Sequence, residues 1–297
     1  MSKAKLFITG ATGFIGRALC KQLQSRFAIT ALTRDPQKAT GILGPDMTFC
    51  SNVPDLQDTE VVINLAGEPI ANRRWSDHQK RRIERSRWQL TEELVAAMAP
   101  KPPKVFISGS ALGYYGPQPA DAIVSEDYTA ITDDFGHRLC AGWEQRALKA
   151  QAFTRVCVLR TGVVLGNGGG LKKMLLPFKL GLGGPIGNGE QIMSWISLDD
   201  MVAAIMLLLA RDDLSGAFNC TAPNPVSNKV FAQTLGQLLH RPAVLPMPAF
   251  IPKLLLGEGA TLLLDGQQVL PKRLLEAGFN FQQQELRQAL NVALKAL

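Results

Sequence analysis

Lys5-Leu6-Phe7-Ile8-Thr9 runs directly into Gly10-Ala11-Thr12-Gly13-Phe14-Ile15-Gly16, and an amphipathic stretch follows to about Gln24. An apolar run, a glycine-spaced turn and a helix in that order read as the first βα unit of a dinucleotide-binding fold. Each glycine has its own reason. Gly10 lets the backbone turn tightly, Gly13 removes the Cβ that would strike a pyrophosphate, and Gly16 lets the helix approach the strand. The intervening Thr12, Phe14 and Ile15 then offer their backbone N–H groups at the positive end of the helix.

Working outward, the same rhythm repeats. Ile29–Thr33 and Val61–Leu65 are short apolar runs stopped by polar or glycine residues, as buried parallel strands are. A helix is expected over about Ser76–Met98, a strand over Lys104–Ser108, a helix over about Phe135–Gln151 and a strand over Arg155–Leu159. Strands alternating with helices imply an α/β fold, a Rossmann-type doubly wound parallel sheet. Beyond about Gly166 the texture changes to glycine-rich loops (168–170 and 181–189), prolines and helices such as 199–210. The expected division is therefore a dinucleotide-binding domain over 1–166, with 167–297 mainly a smaller, partly helical substrate lobe interleaved with the main sheet.

Composition narrows the classes. With 297 residues, 46% of them hydrophobic, the chain buries a large core. No run approaches a membrane span, and the apolar start reads as a strand and not a targeting segment, so a cytoplasmic protein with no membrane partner is expected. Five cysteines, widely spaced and without a CxxC pair, argue against disulfides and against a metal site. The net charge of +7 is concentrated in Arg73-Arg74, Lys80 to Arg82, Arg85 and Arg87, interleaved with Ile83, Trp88 and Leu90 at helical spacing. That pattern reads first as a solvated helix face, then as attraction of a phosphorylated ligand; nucleic acid is not expected.

The cofactor turns on the end of the second strand. A carboxylate about 20 residues past the glycine turn suits the 2′-hydroxyl of NAD, and an arginine suits the 2′-phosphate of NADP. Here the residues are Thr33-Arg34-Asp35. Arg34 pairs with a phosphate and Thr33 supplies a hydroxyl, while Asp35, next to Pro36, caps the following turn; NADP(H) is expected over NAD(H). The alternative, Asp35 on the ribose, stays open.

These stretches, together with Asn64–Gly67, Ser108-Gly109-Ser110, Tyr114-Tyr115-Gly116 and Leu159–Gly166, resemble the extended short-chain dehydrogenase/reductase superfamily of nucleotide-sugar epimerases. Asn64–Ile70, Gly181–Gly189, Trp195–Asp200 and the tail Leu270–Leu274 with Gly278-Phe279 are similar to a narrower group, the YfcH-like atypical epimerase family, with its NAD-dependent epimerase/dehydratase-like body and C-terminal extension. The resemblance implies an NADP-dependent oxidoreductase or epimerase-like enzyme acting on a small polar, nucleotide-linked substrate, with a homodimer by analogy. It also exposes a gap, because the superfamily's Tyr-x-x-x-Lys pair is absent. Phe135 or Gly136 stands where the tyrosine belongs, and Leu139 or Cys140 where the lysine belongs.

Substitutes are Ser110, Tyr114, Tyr115 and His137, with Cys140 read as packing. Leu65, Ala66, Gly67 and Glu68 form the turn beside the adenosine ribose and pyrophosphate, Arg87 reaches a phosphate, and Arg160 and Val163 flank the nicotinamide. Trp195 is expected to stack on the substrate beside Asp199, which alternatively caps a helix. A second function stays open: an NADP(H)-binding sensor without turnover.

Overall fold

The computed structural model describes residues 3–296. Its centre is a sheet of β1 (Ala4–Thr9), β2 (Phe27–Leu32), β3 (Thr48–Cys50), β4 (Val61–Asn64), β5 (Val105–Ala111), β6 (Arg155–Thr161) and β7 (Gly216–Cys220). The strands lie in the order β7-β6-β5-β4-β1-β2-β3, every pair parallel. The helices are α1 (Phe14–Leu23), α2 (Pro36–Leu43), α3 (Asp77–Met98), α4 (Phe135–Leu148), α5 (Gly169–Lys179), α6 (Leu198–Ala210), α7 (Asn228–Leu238), α8 (Phe250–Leu256) and α9 (Leu286–Lys295), with shorter helical turns between them.

Strand alternation assigns the core. On one face Leu6, Ile8, Ile63, Ile107 and Leu159 pack against Leu19 and Leu23 of α1 and Met201 and Ile205 of α6. On the other, Phe7, Val62, Phe106 and Val158 meet Leu94 and Met98 of α3 and Ala147 of α4. Burying side chains of this size contributes about 1.5–3 kcal/mol each. Helix starts are set locally: Ser76 caps α3 by accepting from the Gln79 N–H, Asp134 caps α4, and Ser197 caps α6.

Before residue 166 two of the labelled elements were not read from the sequence, α2 and the three-residue β3, which is too short to show a pattern. The chain after residue 166 does not stay apart from the sheet. It supplies β7 as an edge strand and α6 as a covering helix, while α5, α7 and α9 enclose a separate apolar cluster around Trp195, Phe231, Leu235 and Leu290. The cysteines are all unpaired, four of them buried. Among the described residues no His, Cys, Asp and Glu grouping fits a metal, and no helix is long and apolar enough to cross a membrane.

Candidate active site

The strand order reverses between β1 and β4, so a crevice opens at their carboxyl ends, where ligands bind in open α/β sheets. Gly10 forms its floor with φ +74°, and a Cβ there would lie 2.7 Å from the Leu65 carbonyl carbon. A Cβ on Gly16 would meet the Gly10 oxygen at 2.2 Å. Gly13 is the N-cap of α1, with no side-chain capping bond and no acidic residue in the first turn. The first-turn N–H groups are therefore left for an external anion.

The opposite wall, Leu65 to Glu68, is held by a buried polar chain that sequence reading missed. Thr9 Oγ1 donates to Asn64 Oδ1 at 2.6 Å and accepts from the Ala66 N–H at 3.1 Å. Asn64 Nδ2 and Trp143 Nε1 both donate to Thr91 Oγ1, at 2.9 and 3.0 Å. The available signal was a polar residue ending each of two apolar strands.

Arg87 lies beneath this wall. A Cβ on Gly67 would be 2.7 Å from its Cζ, and its Nη1 donates to the Glu68 carbonyl at 3.1 Å and the Ile83 carbonyl at 3.3 Å. The guanidinium also lies 5.2 Å from the Trp143 ring. Among the described residues no carboxylate pairs with it, because Glu68 is bridged to Arg82 at 3.1 Å. Burial draws Arg87 down to about 10, so it still carries its charge at neutral pH. A desolvated cation without a protein anion suits a phosphate. At the end of β2, Asp35 is the N-cap of α2, its Oδ1 accepting from the Lys38 N–H at 3.0 Å, while Arg34 is exposed.

At the ends of β5 and β6 the structure binds several candidate catalytic residues to one another. Arg160 and Glu144 form a bidentate pair, Nε to Oε1 at 2.9 Å and Nη2 to Oε2 at 2.8 Å, with 6% and 3% of their surfaces exposed. Ser110 Oγ donates to Glu144 Oε1 at 2.6 Å. Arg160 Nη1 donates to the Tyr115 hydroxyl at 3.0 Å, which donates in turn to Asn219 Oδ1 at 2.7 Å. Burial alone would lower Arg160, but the bonds and charge of Glu144 carry it above its ordinary value.

These contacts correct three expectations. The Tyr115 hydroxyl is fully buried and pushed up to about 12, chiefly by desolvation, so it does not exchange protons near neutrality. Arg160 directs Nε and Nη2 to Glu144 and Nη1 to Tyr115 and is 6% exposed, so its guanidinium is committed to this buried network and does not stand open beside a nicotinamide. Ser110 faces Glu144 and not an open cleft. Tyr114 and His137 remain: the Tyr114 ring lies 3.4 Å over the Arg160 guanidinium, and its hydroxyl has no partner among the described residues. His137 Nδ1 is 2.5 Å from the Tyr114 carbonyl oxygen, an acceptor, so Nδ1 carries a proton and in the neutral ring Nε2 is the acceptor. Val163 is exposed at the start of the short strand after β6.

The substrate residues are also corrected. Trp195 has no exposed surface and donates Nε1 to the Asn224 carbonyl at 3.1 Å, because three helices of the C-terminal third close over it. Asp199 is exposed, and Ser197, not Asp199, caps α6; the buried neighbour Asp200 accepts the N–H groups of Gln282 and Gln283. A cavity of about 740 Å³ lies elsewhere, lined by Arg74, Asn188, Gln191, Lys253 and Asp265 among others. Burial, and then Asp134, raise the Asp265 carboxyl above its ordinary range. Lys272 and Arg273 dock the tail: Lys272 pairs with Asp127, and Arg273 donates to the carbonyls of Ala217 and Ser215 at 2.7 and 2.6 Å.

Residues 6–221 match the model of the NAD dependent epimerase/dehydratase family, and residues 247–293 match a domain of unknown function, DUF1731. The chain belongs to the NAD dependent epimerase/dehydratase family. It is 40% identical to the chloroplastic SDR39U1 homolog of Arabidopsis thaliana, over 99% of this chain and 88% of that one. It is 38% identical to epimerase family protein SDR39U1 of Homo sapiens, over 96% and 98%. A crystal structure of the human protein with NADPH superposes with TM-score 0.88 at 35% identity, covering 99% of this chain and all of that one. UDP-glucuronic acid 4-epimerase from Bacillus cereus, at 18% identity and TM-score 0.79, shares the fold.

For an epimerase-family chain, this one is atypical where the proton chemistry belongs. Phe135 is buried against Trp75, their rings 4.9 Å apart, and Leu139 is buried beside it. The Cys140 thiol is pushed up to about 12 by burial and then by Glu144, which leaves it protonated and unreactive at neutral pH. The DUF1731 match begins just before α8, so that region forms one wall of the large cavity through Ala249, Lys253 and Asp265.

Proposed function

We propose that this chain is an NADP(H)-dependent oxidoreductase of the epimerase type, acting on a small polar, nucleotide-linked substrate by reversible hydride transfer. The observation that carries the reading is the engagement of Asp35 in capping α2, which leaves exposed Arg34 beside Thr33 as the side chain available to a 2′-phosphate. The NADPH in the human SDR39U1 structure supports the same preference.

The residues present fit such a cofactor. The N–H groups of Phe14 and Ile15, with the Thr12 hydroxyl, would hold the pyrophosphate, while the Gly13 N–H closes the turn onto the Gly10 carbonyl at 2.9 Å and Gly10 and Gly16 keep that turn close to the strand. Arg87 adds a cation from below, and Leu65, Ala66, Gly67 and Glu68 border the adenosine ribose. When bound, the nicotinamide supplies or accepts the hydride. Tyr114 holds the exchanging proton at its hydroxyl, and His137 Nε2 accepts from water or substrate. Ser110 positions this loop through Glu144, so it is a positioning residue. The proposed organisation keeps residues 1–166 as the cofactor-binding part and 167–297 as mainly the substrate lobe.

A second reading, an NADP(H) sensor without turnover, is favoured by the internal engagement of Ser110 and Tyr115 and the missing tyrosine and lysine. One titration separates the two. NADPH and NADH are titrated by nicotinamide fluorescence against wild type and Arg34→Ala, and pooled nucleotide-sugar and carbonyl substrates are then added to wild type and Tyr114→Phe. The enzyme reading expects a preference for NADPH that collapses in Arg34→Ala, and substrate-dependent oxidation lost in Tyr114→Phe. Tight binding with no turnover favours the sensor, and no binding of either nucleotide overturns both.

A further inference from the structure

More than half of the exposed large apolar side chains among the described residues sit on two adjoining segments. Leu176, Leu180 and Leu182 are on α5 and the loop after it; Val244, Leu245, Phe250, Leu254 and Leu255 are on the chain entering α8 and on α8 itself. The segments are bonded together: Met247 N–H donates to the Pro185 carbonyl at 2.8 Å, Gly187 N–H to the Met247 carbonyl at 2.9 Å, and Arg241 Nε to the Lys179 carbonyl at 3.1 Å. Val244 is 75% exposed, Phe250 66% and Leu254 69%. An apolar surface of this extent marks an interaction site.

Its composition identifies the occupant. Residues 171–186 and 241–256 contain no Asp, Glu, Ser, Thr, Asn, Gln or His; apart from apolar residues, Gly and Pro, they carry only Lys172, Lys173, Lys179, Arg241 and Lys253. A protein partner needs about one hydrogen bond per 100–200 Å² of interface, and these segments offer no neutral side-chain donor or acceptor for it. A second copy would bring the same cations face to face. Apolar side chains beside Lys and Arg, with no carboxylate between them, match a bilayer interface with anionic headgroups.

We propose that this face, formed by α5, the 241–247 segment and α8, docks the protein peripherally on an anionic lipid bilayer. No helix among the described residues spans a membrane, so the contact is with the surface, a mode that hydropathy along the sequence does not reveal. The cavity shares Ala249 and Lys253 with this region, so it opens beside the docked surface. The proposal is independent of the cofactor reading.

The test is co-sedimentation of the full chain with vesicles of phosphatidylcholine alone and of phosphatidylcholine with about one-third phosphatidylglycerol. The variants are Phe250→Asp with Leu254→Asp, and Lys172→Glu with Lys179→Glu. All are checked for unchanged melting and NADPH affinity, and light scattering reports oligomeric state. The expected result is at least about fivefold more binding to the anionic vesicles, reduced about tenfold by the Asp pair, and reduced by the Glu pair and by salt. No binding to anionic vesicles, or binding unchanged in the Asp pair, overturns the proposal. So does a dimer that the Asp pair splits, which would make a second copy the occupant.

Discussion

Removing Glu144 should be among the most damaging single changes in this protein, and the damage should be largely refundable by also removing Arg160. The two side chains are almost wholly buried and joined by two hydrogen bonds, with Ser110 as a third donor to the carboxylate. Glu144→Ala leaves a buried guanidinium with only the Tyr115 hydroxyl and two aromatic rings beside it. Breaking a buried pair from one side costs about 3–5 kcal/mol. Replacing both charges avoids the stranded ion, so Glu144→Gln with Arg160→Met should cost at least about 2 kcal/mol less than the sum of its single substitutions. Urea unfolding with m-values read alongside is the assay, because a changed m would signal an altered unfolded state or lost two-state behaviour. A cost for Glu144→Ala below about 1 kcal/mol, or strict additivity in the cycle, would refute the view that this pair is a desolvated unit.

Other expectations follow from single sites. Gly10→Ala places a side chain at φ +74° and 2.7 Å from the Leu65 carbonyl carbon, so it should cost about 2 kcal/mol or more and abolish nucleotide binding; melting and NADPH fluorescence read the two effects. Burial raises the Glu126 carboxyl, whose Oε2 has no partner while Oε1 accepts the Asn219 N–H at 2.9 Å. An acid raised by folding contributes stability that is present below its unfolded pKa and lost as pH rises through its folded pKa. Glu126→Gln should therefore flatten that decline from the ordinary carboxylate range upward, and a pH series of unfolding midpoints in which both proteins fall in parallel would reject the assignment.

The strands were legible because β1, β4 and the first half of β5 are apolar runs broken by glycine or a polar residue, and the crevice because it lies where such runs stop. Local signals also exposed Asp35, whose neighbour Pro36 marked the turn it caps, although the helix that continues from that turn was not read. What stayed hidden depends on contacts between distant residues. Glu144 and Arg160 belong to a helix and a strand on either side of a turn, and nothing in their own segments announces that each is the other's counter-ion. Trp195 looks like a ligand platform beside a glycine-rich loop until α5, α7 and α9 are folded over it.

The same network bears on how this family member manages without tyrosine and lysine. In a Tyr-x-x-x-Lys site an uncompensated ammonium favours the phenolate. Here the cation nearest the tyrosine loop, Arg160, is neutralised by Glu144 at two oxygens, so it stiffens the loop while offering little net charge to a phenolate. Tyr115 follows that logic, since burial outweighs the lowering effect of Arg160 and its hydroxyl rises. A partly buried cation without a carboxylate bonded to it among the described residues lies instead under the β4 turn, at Arg87. Under the proposed function, this puts a cation beside the phosphate crevice, where it would hold an anionic cofactor, and leaves proton exchange to the partly open pair of Tyr114 and His137.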